Sequence, residues 1–268
     1  MLPLPKGECF HPLEDGRFQF ACHPGVSCFN QCCRQLTLWL TPYDFLRLRR
    51  NLGLSSDELL DRYCTVENGQ NGWPLPRIFM EGPEQVCPFV SPAGCRVYPD
   101  RPGACRTYPL GRAVRGGSGQ APREEGYFLV KEEHCQGFRE GRQWTPQEWM
   151  QDQGLGEYNR FNDLFATILT RQAPDADPGV IARKMQMMFM ACYKLESFRR
   201  FTATPRFRQT FDLPPEQWRA LEEDELSLLE FAFSWLRFAI FTESTLPLRP
   251  EVAEARRREL EKVYRGGL

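Results

Sequence analysis

The stretch CHPGVSCFNQCC, Cys22 to Cys33, carries four of the chain's eleven cysteines, spaced Cys22-x5-Cys28-x3-Cys32-Cys33. These thiols lie among Pro, Gly, Asn and Gln and have no apolar face to join, which sets them apart from ordinary free cysteines, among the most buried of residue types. Were Cys28 to Cys33 helical, Cys28 and Cys32 would share a face and Cys33 would be turned about 100° from Cys32. The vicinal pair would then point in different directions. A multinuclear cluster, or two sites sharing the segment, suits that arrangement better than one tetrahedral ion.

Outward from this stretch, Phe18 and Phe20 in RFQFAC (17–22) alternate like a short strand that ends at Cys22. LTLWLT (36–41) alternates in the same way. Thr41-Pro42-Tyr43-Asp44 then starts a helix with Thr as N-cap and Pro at the first helical position, which should stop at Gly53. Ser55 and Glu58 have capping-box spacing for a second helix. A polar, turn-rich connection at 67–76 leads to CPFVSPAGCRVYPDRPGACRTYP, with Cys87, Cys95 and Cys105, expected as short strands between turns. A hairpin with its tip at Gly116-Gly117-Ser118-Gly119 should return along Tyr127 to Val130 and present Cys135.

From Trp144 onward helix signals dominate and one cysteine remains, Cys192. Thr145-Pro146-Gln147-Glu148 repeats the Thr-Pro cap. Ile181, Met185, Met188, Cys192 and Leu195 recur at helical spacing, as do Leu226, Leu229, Phe233, Leu236 and Ile240. Further helices are expected near Tyr158 to Leu169 and from Glu251 to Val263. Cys192 and the methionines 185, 187, 188 and 190 read as core, and Cys64 as structural. The fold class expected is α+β: a small cysteine-rich domain of short strands, loops and helices over residues 1–143, with a mainly helical region, 144–268, packed on it.

With 268 residues the chain can bury a sizeable core without staples. Its net charge of −1 gives no global attraction to nucleic acid or anionic membrane. The N-terminal stretch MLPLPKGECFHPLEDG lacks the apolar run of a secretory signal. The most apolar stretch, Phe231 to Phe241, is interrupted by Arg237 and falls short of the roughly 18 residues a membrane span needs. A cytoplasmic protein is expected, and in that compartment a cysteine framework binds metal or catalyses rather than forming disulfides.

The eight cysteines 22, 28, 32, 33, 87, 95, 105 and 135 are therefore taken as one set of metal ligands. Ligand thiols must lose their protons, and several thiolates together need compensating cations. Arg34, Arg96 and Arg106 directly follow Cys33, Cys95 and Cys105, and Arg101 lies between the last two. Exposed surface arginines are the plain alternative. His23 and His134 neighbour cluster cysteines, but adjacent residues rarely share one ion, so they and His11 read as supporting or exposed groups. No Walker lysine, G-x-S-x-G elbow, HExxH helix or radical S-adenosylmethionine CxxxCxxC pattern is present.

The order FACx5Cx3CC, LTPYD, CPFVSPAGCRVYPDRPGACRTYP and a late His-Cys resembles the YkgJ-type cysteine-cluster family, which is described as a zinc- or iron-chelating domain. The resemblance covers about residues 18 to 138 and stops before the helical region. This chain departs from the family's usual Cys-x2-Cys-x2-Cys-Cys opening, with five and three residues intervening. Zinc knuckles pair Cys-x2-4-Cys spacings, which only Cys28-x3-Cys32 fits, whereas iron and sulfide accept irregular spacing. An iron–sulfur cluster or iron is thus the first expectation and zinc the second, with a redox, sensing or metal-handling role. The alternatives are a structural zinc module mediating protein interaction, and a protein lysine N-methylase of the kind the resemblance implies, since some relatives are described as flagellin methylases. No Gly-rich turn for S-adenosylmethionine is evident, so whether the chain is an enzyme stays open.

Overall fold

The computed structural model describes residues 7–116, 124–172 and 177–265, and the protein is α+β. The first strands are β1 (Phe10–Pro12) and β2 (Phe18–Phe20). They are followed by α1 (Pro42–Leu52), α2 (Ser56–Tyr63), β3 (Cys64–Asn68) and β4 (Pro74–Ile78). Next come β5 (Val90–Ser91), β6 (Gly94–Cys95), α3 (Gly103–Thr107), β7 (Leu110–Arg115), β8 (Glu124–Val130) and β9 (Arg142–Trp144). The rest is helical: α4 (Pro146–Asp152), α5 (Gly156–Leu169), α6 (Pro178–Tyr193), α7 (Leu195–Thr202), α8 (Pro205–Arg208), α9 (Pro215–Glu223), α10 (Glu225–Phe241) and α11 (Pro250–Arg265).

The chain forms two compact units. One comprises residues up to Asn68 with Leu75–Asp163, the other Gly69–Pro74 with residues from Leu164 onward. In the first, β8 lies between β1 and β7 in an antiparallel sheet, and β2 pairs antiparallel with β9, Phe18 opposite Trp144. Phe18, Phe20, Leu110, Leu129 and Trp149 form its aromatic-rich core, with Tyr108, Cys135 and Phe138 against it. Phe20 meets Trp149 edge to face at 5.7 Å, the offset geometry that the ring quadrupoles favour.

Helix starts follow the sequence reading because capping is local chemistry. Thr41, Ser55 and Thr145 each accept the N3 amide, and Asp44, Glu58 and Glu148 return a carboxylate to the cap. Gly53 closes α1 at φ 64°, in the left-handed region where glycine is unstrained. The β7–β8 hairpin is present; its expected tip, beyond Gly116, lies outside the described residues.

Three expectations change. LTLWLT is extended but holds only an isolated bridge, Trp39 to Arg77, with Ile78 N donating to Leu38 O at 3.0 Å and Leu40 N to Pro76 O at 2.9 Å. Gln35, at φ 54°, turns the chain just before it and Thr41 leaves into α1, so there is no length for a ladder. The connection at 67–76 contains the tip of the β3–β4 hairpin. The helix read from Ile181 through Leu195 breaks at Lys194 (φ −127°, ψ 61°), and Leu195 begins α7.

In the second unit, Trp73 donates from its indole to Arg171 O at 2.8 Å. Phe198, Phe207, Phe231 and Trp235 form an aromatic network, and Leu228, Leu229, Leu236 and Ile240 of α10 are buried. Cys192 is fully buried in α6, as expected of a core residue, whereas of the four methionines only Met188 is. Among the described residues no helix is long and apolar enough to cross a membrane.

Candidate metal centre

The segment from Cys22 to Cys33 is a chain of tight turns, not an α-helix. Val26 N donates to His23 O at 3.0 Å, Phe29 N to Val26 O at 2.9 Å and Gln31 N to Cys28 O at 2.9 Å. Asn30, at φ 68°, redirects the chain into one 3-10 turn at Gln31–Cys33. A turn of three residues separates successive side chains by about 120°. The divergence expected for a helix is nevertheless not realised, since the Cys33 thiol donates to the Cys32 sulfur and the vicinal pair stays in contact.

Backbone hydrogen bonds fasten this segment to the second cysteine run. Cys87 N donates to Cys33 O at 2.8 Å, Gln35 N to Gln85 O at 2.8 Å, and the Asn30 side chain to Ser91 O at 2.9 Å. The β5–β6 hairpin sets Cys95 opposite Val90. Cys105 rides on α3, whose first amide, Gly103 N, donates to the buried carboxylate of Asp44 at 2.7 Å. Asp44 thus joins the Thr-Pro helix start to the third cysteine. Burial pushes its carboxyl up, and the Gly103 and Thr41 donors with nearby Arg106 pull it back.

Cys135 arrives from the other side. Gln136 N donates to Cys28 Sγ at 3.1 Å, and Ala21 N to Gly137 O at 3.1 Å, next to Cys22. A Cβ on Gly137 would stand 2.6 Å from Ala21 O, so only glycine lets these segments approach.

All eight thiols consequently lie within electrostatic reach of one another through a connected set. Cys22 faces Cys32, Cys28 and Cys135; Cys33 faces Cys32, Cys87 and Cys105; Cys105 faces Cys87, Cys95 and Cys32. Burial, followed by these neighbours, pushes Cys22 up to about 11, although Cys22 is the solvent-exposed member. Burial raises Cys87, Cys95, Cys105 and Cys135 as well. Cys32 moves the opposite way, lowered to about 7 because the Cys33 thiol donates to its sulfur, and Cys33 is raised by the same contact. Among the described residues no three His, Cys, Asp or Glu side chains converge as a ready-made coordination set. Thiols near neutral charge have no force holding their sulfurs at ligand spacing; a cation supplies it. The donor chemistry, soft thiols in one neighbourhood with amides aimed at them, fits zinc or iron.

The arginines separate on inspection. Arg34 pairs with Glu84, and Arg106 donates to the carbonyls of Pro99, Arg101 and Gln153. Arg96 binds Pro88 O, while lowering Cys95. Arg101 is 8% exposed, stacks on Tyr98 at 3.8 Å, donates to Tyr98 O and Gln153, and is the cation facing both Cys22 and Cys95. His23 has both ring nitrogens engaged, by Gly25 N at 3.2 Å and Glu140 at 3.2 Å, and His134 lies 3.5 Å from Glu132. His11 sits in β1 opposite Leu129.

One contact was not singled out from the sequence. The buried Tyr108 hydroxyl makes no formed hydrogen bond, and the group within its reach is the Cys135 thiol, whose ionisation it favours. Its signal was present in Cys105-Arg-Thr-Tyr-Pro, where the tyrosine follows a cysteine at fixed distance. A shallow depression lined by Gln31, Arg34, Gln35 and His134 opens beside the cysteine segments. Cys64, away from this set, is pushed up to about 12 by burial alone.

With this geometry in place, residues 21–136 match the family CxxCxxCC, whose description reads "Putative zinc- or iron-chelating domain", the family whose motifs the sequence resembles. The match takes in all eight cysteines and supports metal binding. No curated protein and no solved structure matches the chain.

Proposed function

We propose, with that match over residues 21–136 as premise, that this is a metal-binding protein whose centre holds an iron–sulfur cluster or iron through Cys22, Cys28, Cys32, Cys33, Cys87, Cys95, Cys105 and Cys135. The observation that carries the reading is the aim of the backbone amides. Gln136 N donates to Cys28 Sγ at 3.1 Å, and the N–H groups of Phe89, Val97 and Gly137, each two residues beyond Cys87, Cys95 and Cys135, lie where they favour ionisation of those thiols against the opposing effect of burial. Amide donors favour thiolate over thiol and set the potential of thiolate-bound iron. A cysteine acting as a small hydrophobe has no use for them.

Bound iron would supply one-electron redox chemistry to the centre. This chain's residues hold the sulfurs, and Arg101 offsets their charge. Residues 1–143 serve as the metal-binding domain, and residues 144–268 offer helices to a protein partner. Redox, sensing and metal handling are the roles open to such a centre. Zinc is the second assignment: an all-cysteine donor set suits it equally, but only Cys28-x3-Cys32 has the spacing of a zinc knuckle. Anaerobic purification followed by metal analysis, acid-labile sulfide and a visible spectrum decides between them. Iron, sulfide and a brown charge-transfer absorption support the cluster, whereas stoichiometric zinc in a colourless protein overturns it.

A further inference from the structure

We infer that the eight cysteines form two adjoining four-thiol sites, Cys22, Cys28, Cys32 and Cys135 in one and Cys33, Cys87, Cys95 and Cys105 in the other, with the vicinal pair divided between them. The inference rests on the metal-binding reading and gives it a nuclearity.

The backbone supplies the first argument. Cys28 and Cys135 are tied by the Gln136 N to Cys28 Sγ bond, and Cys22 is brought beside them by Ala21 N to Gly137 O. Cys33 and Cys87 are tied by their own amide–carbonyl bond at 2.8 Å. Cys95 returns over Cys87 through the β5–β6 hairpin, where Arg96 N donates to Phe89 O at 2.8 Å. Among the described residues no hydrogen bond ties the Cys135 turn to the Cys87–Cys105 run.

Mutual reach divides the thiols the same way. Cys22 faces Cys28 and Cys135, and Cys135 faces Cys28. Cys33 faces Cys87 and Cys105, Cys87 faces Cys95, and Cys105 faces Cys87 and Cys95. Cys32 belongs to both neighbourhoods, since it faces Cys22 on one side and touches Cys33 and faces Cys95 and Cys105 on the other. Counting assigns it: the second group has four thiols without Cys32 and the first only three. Cys32 and Cys33, whose thiols touch, then meet at the seam between the two groups. Four thiolates are the complement that a tetrahedral ion or a cubane cluster takes.

The test is anaerobic titration of the metal-free full-length protein with cobalt(II), following thiolate-to-cobalt absorption. Two equivalents should bind. Cys135→Ser and Cys105→Ser, each altering one group away from the seam, should each retain one full-strength site, and the double variant none. Circular dichroism checks that the variants fold, and Cys95→Ser replaces Cys105→Ser if that chain does not. Saturation of the wild type by one equivalent, or loss of all binding in either single variant, overturns the two-site inference while leaving metal binding intact. No cobalt binding by the wild type overturns the metal reading itself.

Discussion

The amide of Cys87 donates to the carbonyl of Cys33 at 2.8 Å, closing a long loop at the point where two cysteine segments meet. A metal bridging the same segments reinforces that closure, and because a formed site is absent from the unfolded chain, its binding energy adds to folding energy. The melting temperature should rise with free metal, by an amount corresponding to about 2.7 kcal/mol at one hundred times Kd. Calorimetry with and without chelator measures this. Identical melting curves would sever metal from fold.

Asp44 is 2% exposed and takes Thr41 N at 3.0 Å, Thr41 Oγ1 at 2.8 Å and Gly103 N at 2.7 Å. Asp44→Ala removes a cap and a buried charged hydrogen bond, for a loss of about 2–4 kcal/mol. It also frees α3 and weakens metal binding through Cys105. Urea unfolding that places the variant within about 0.5 kcal/mol of wild type would show that Asp44 does not tie these elements together.

Tyr108→Phe keeps the ring against Phe20 and deletes the hydroxyl beside Cys135. Fold and metal content should persist. With iron bound, losing a hydroxyl dipole beside the Cys135 sulfur should make the centre harder to reduce, moving its potential negative by something on the order of tens of millivolts. A redox titration giving an unchanged potential would leave the hydroxyl without influence on the centre.

In the metal-free protein Cys22 is raised to about 11 and Cys64 to about 12, against about 9 for a free thiol. Between those values the folded chain holds protons that the unfolded chain has released, so stability is present below pH 9 and declines as pH rises toward 11 and 12. The loaded protein responds at the other end, since acid returns protons to ligand sulfurs and expels metal. Chemical denaturation of metal-free protein from pH 9 to 11 tests the first half; stability that holds or increases there contradicts it.

The helix starts at Thr41, Ser55 and Thr145 were legible because capping depends on residues three apart. The β7–β8 hairpin and the α+β class were legible from alternation and turn composition. The conformation between Cys22 and Cys33 was not, because Asn30 adopts a positive φ without being glycine, as Gln35 does just beyond it. β1 and β9 are three-residue strands whose partners lie far along the chain, so no local pattern marks them. Arg34, Arg96 and Arg106 look equivalent after their cysteines, yet Glu84 claims the first and backbone carbonyls the other two. Arg101, outside that pattern, is the one set between thiols. Of the methionine stripe only Met188 reached the core, since helical period alone does not say how wide a buried face will be.

The most direct test of the metal centre is alkylation of the native protein, mapped cysteine by cysteine with and without a chelator. Protection of Cys22, Cys28, Cys32, Cys33, Cys87, Cys95, Cys105 and Cys135 before chelation is predicted, with labelling afterwards led by Cys32, the thiol lowered to about 7. Cys9, which is partly exposed, should label in both states. An identical labelling pattern before and after chelation would contradict a metal held by these eight thiols.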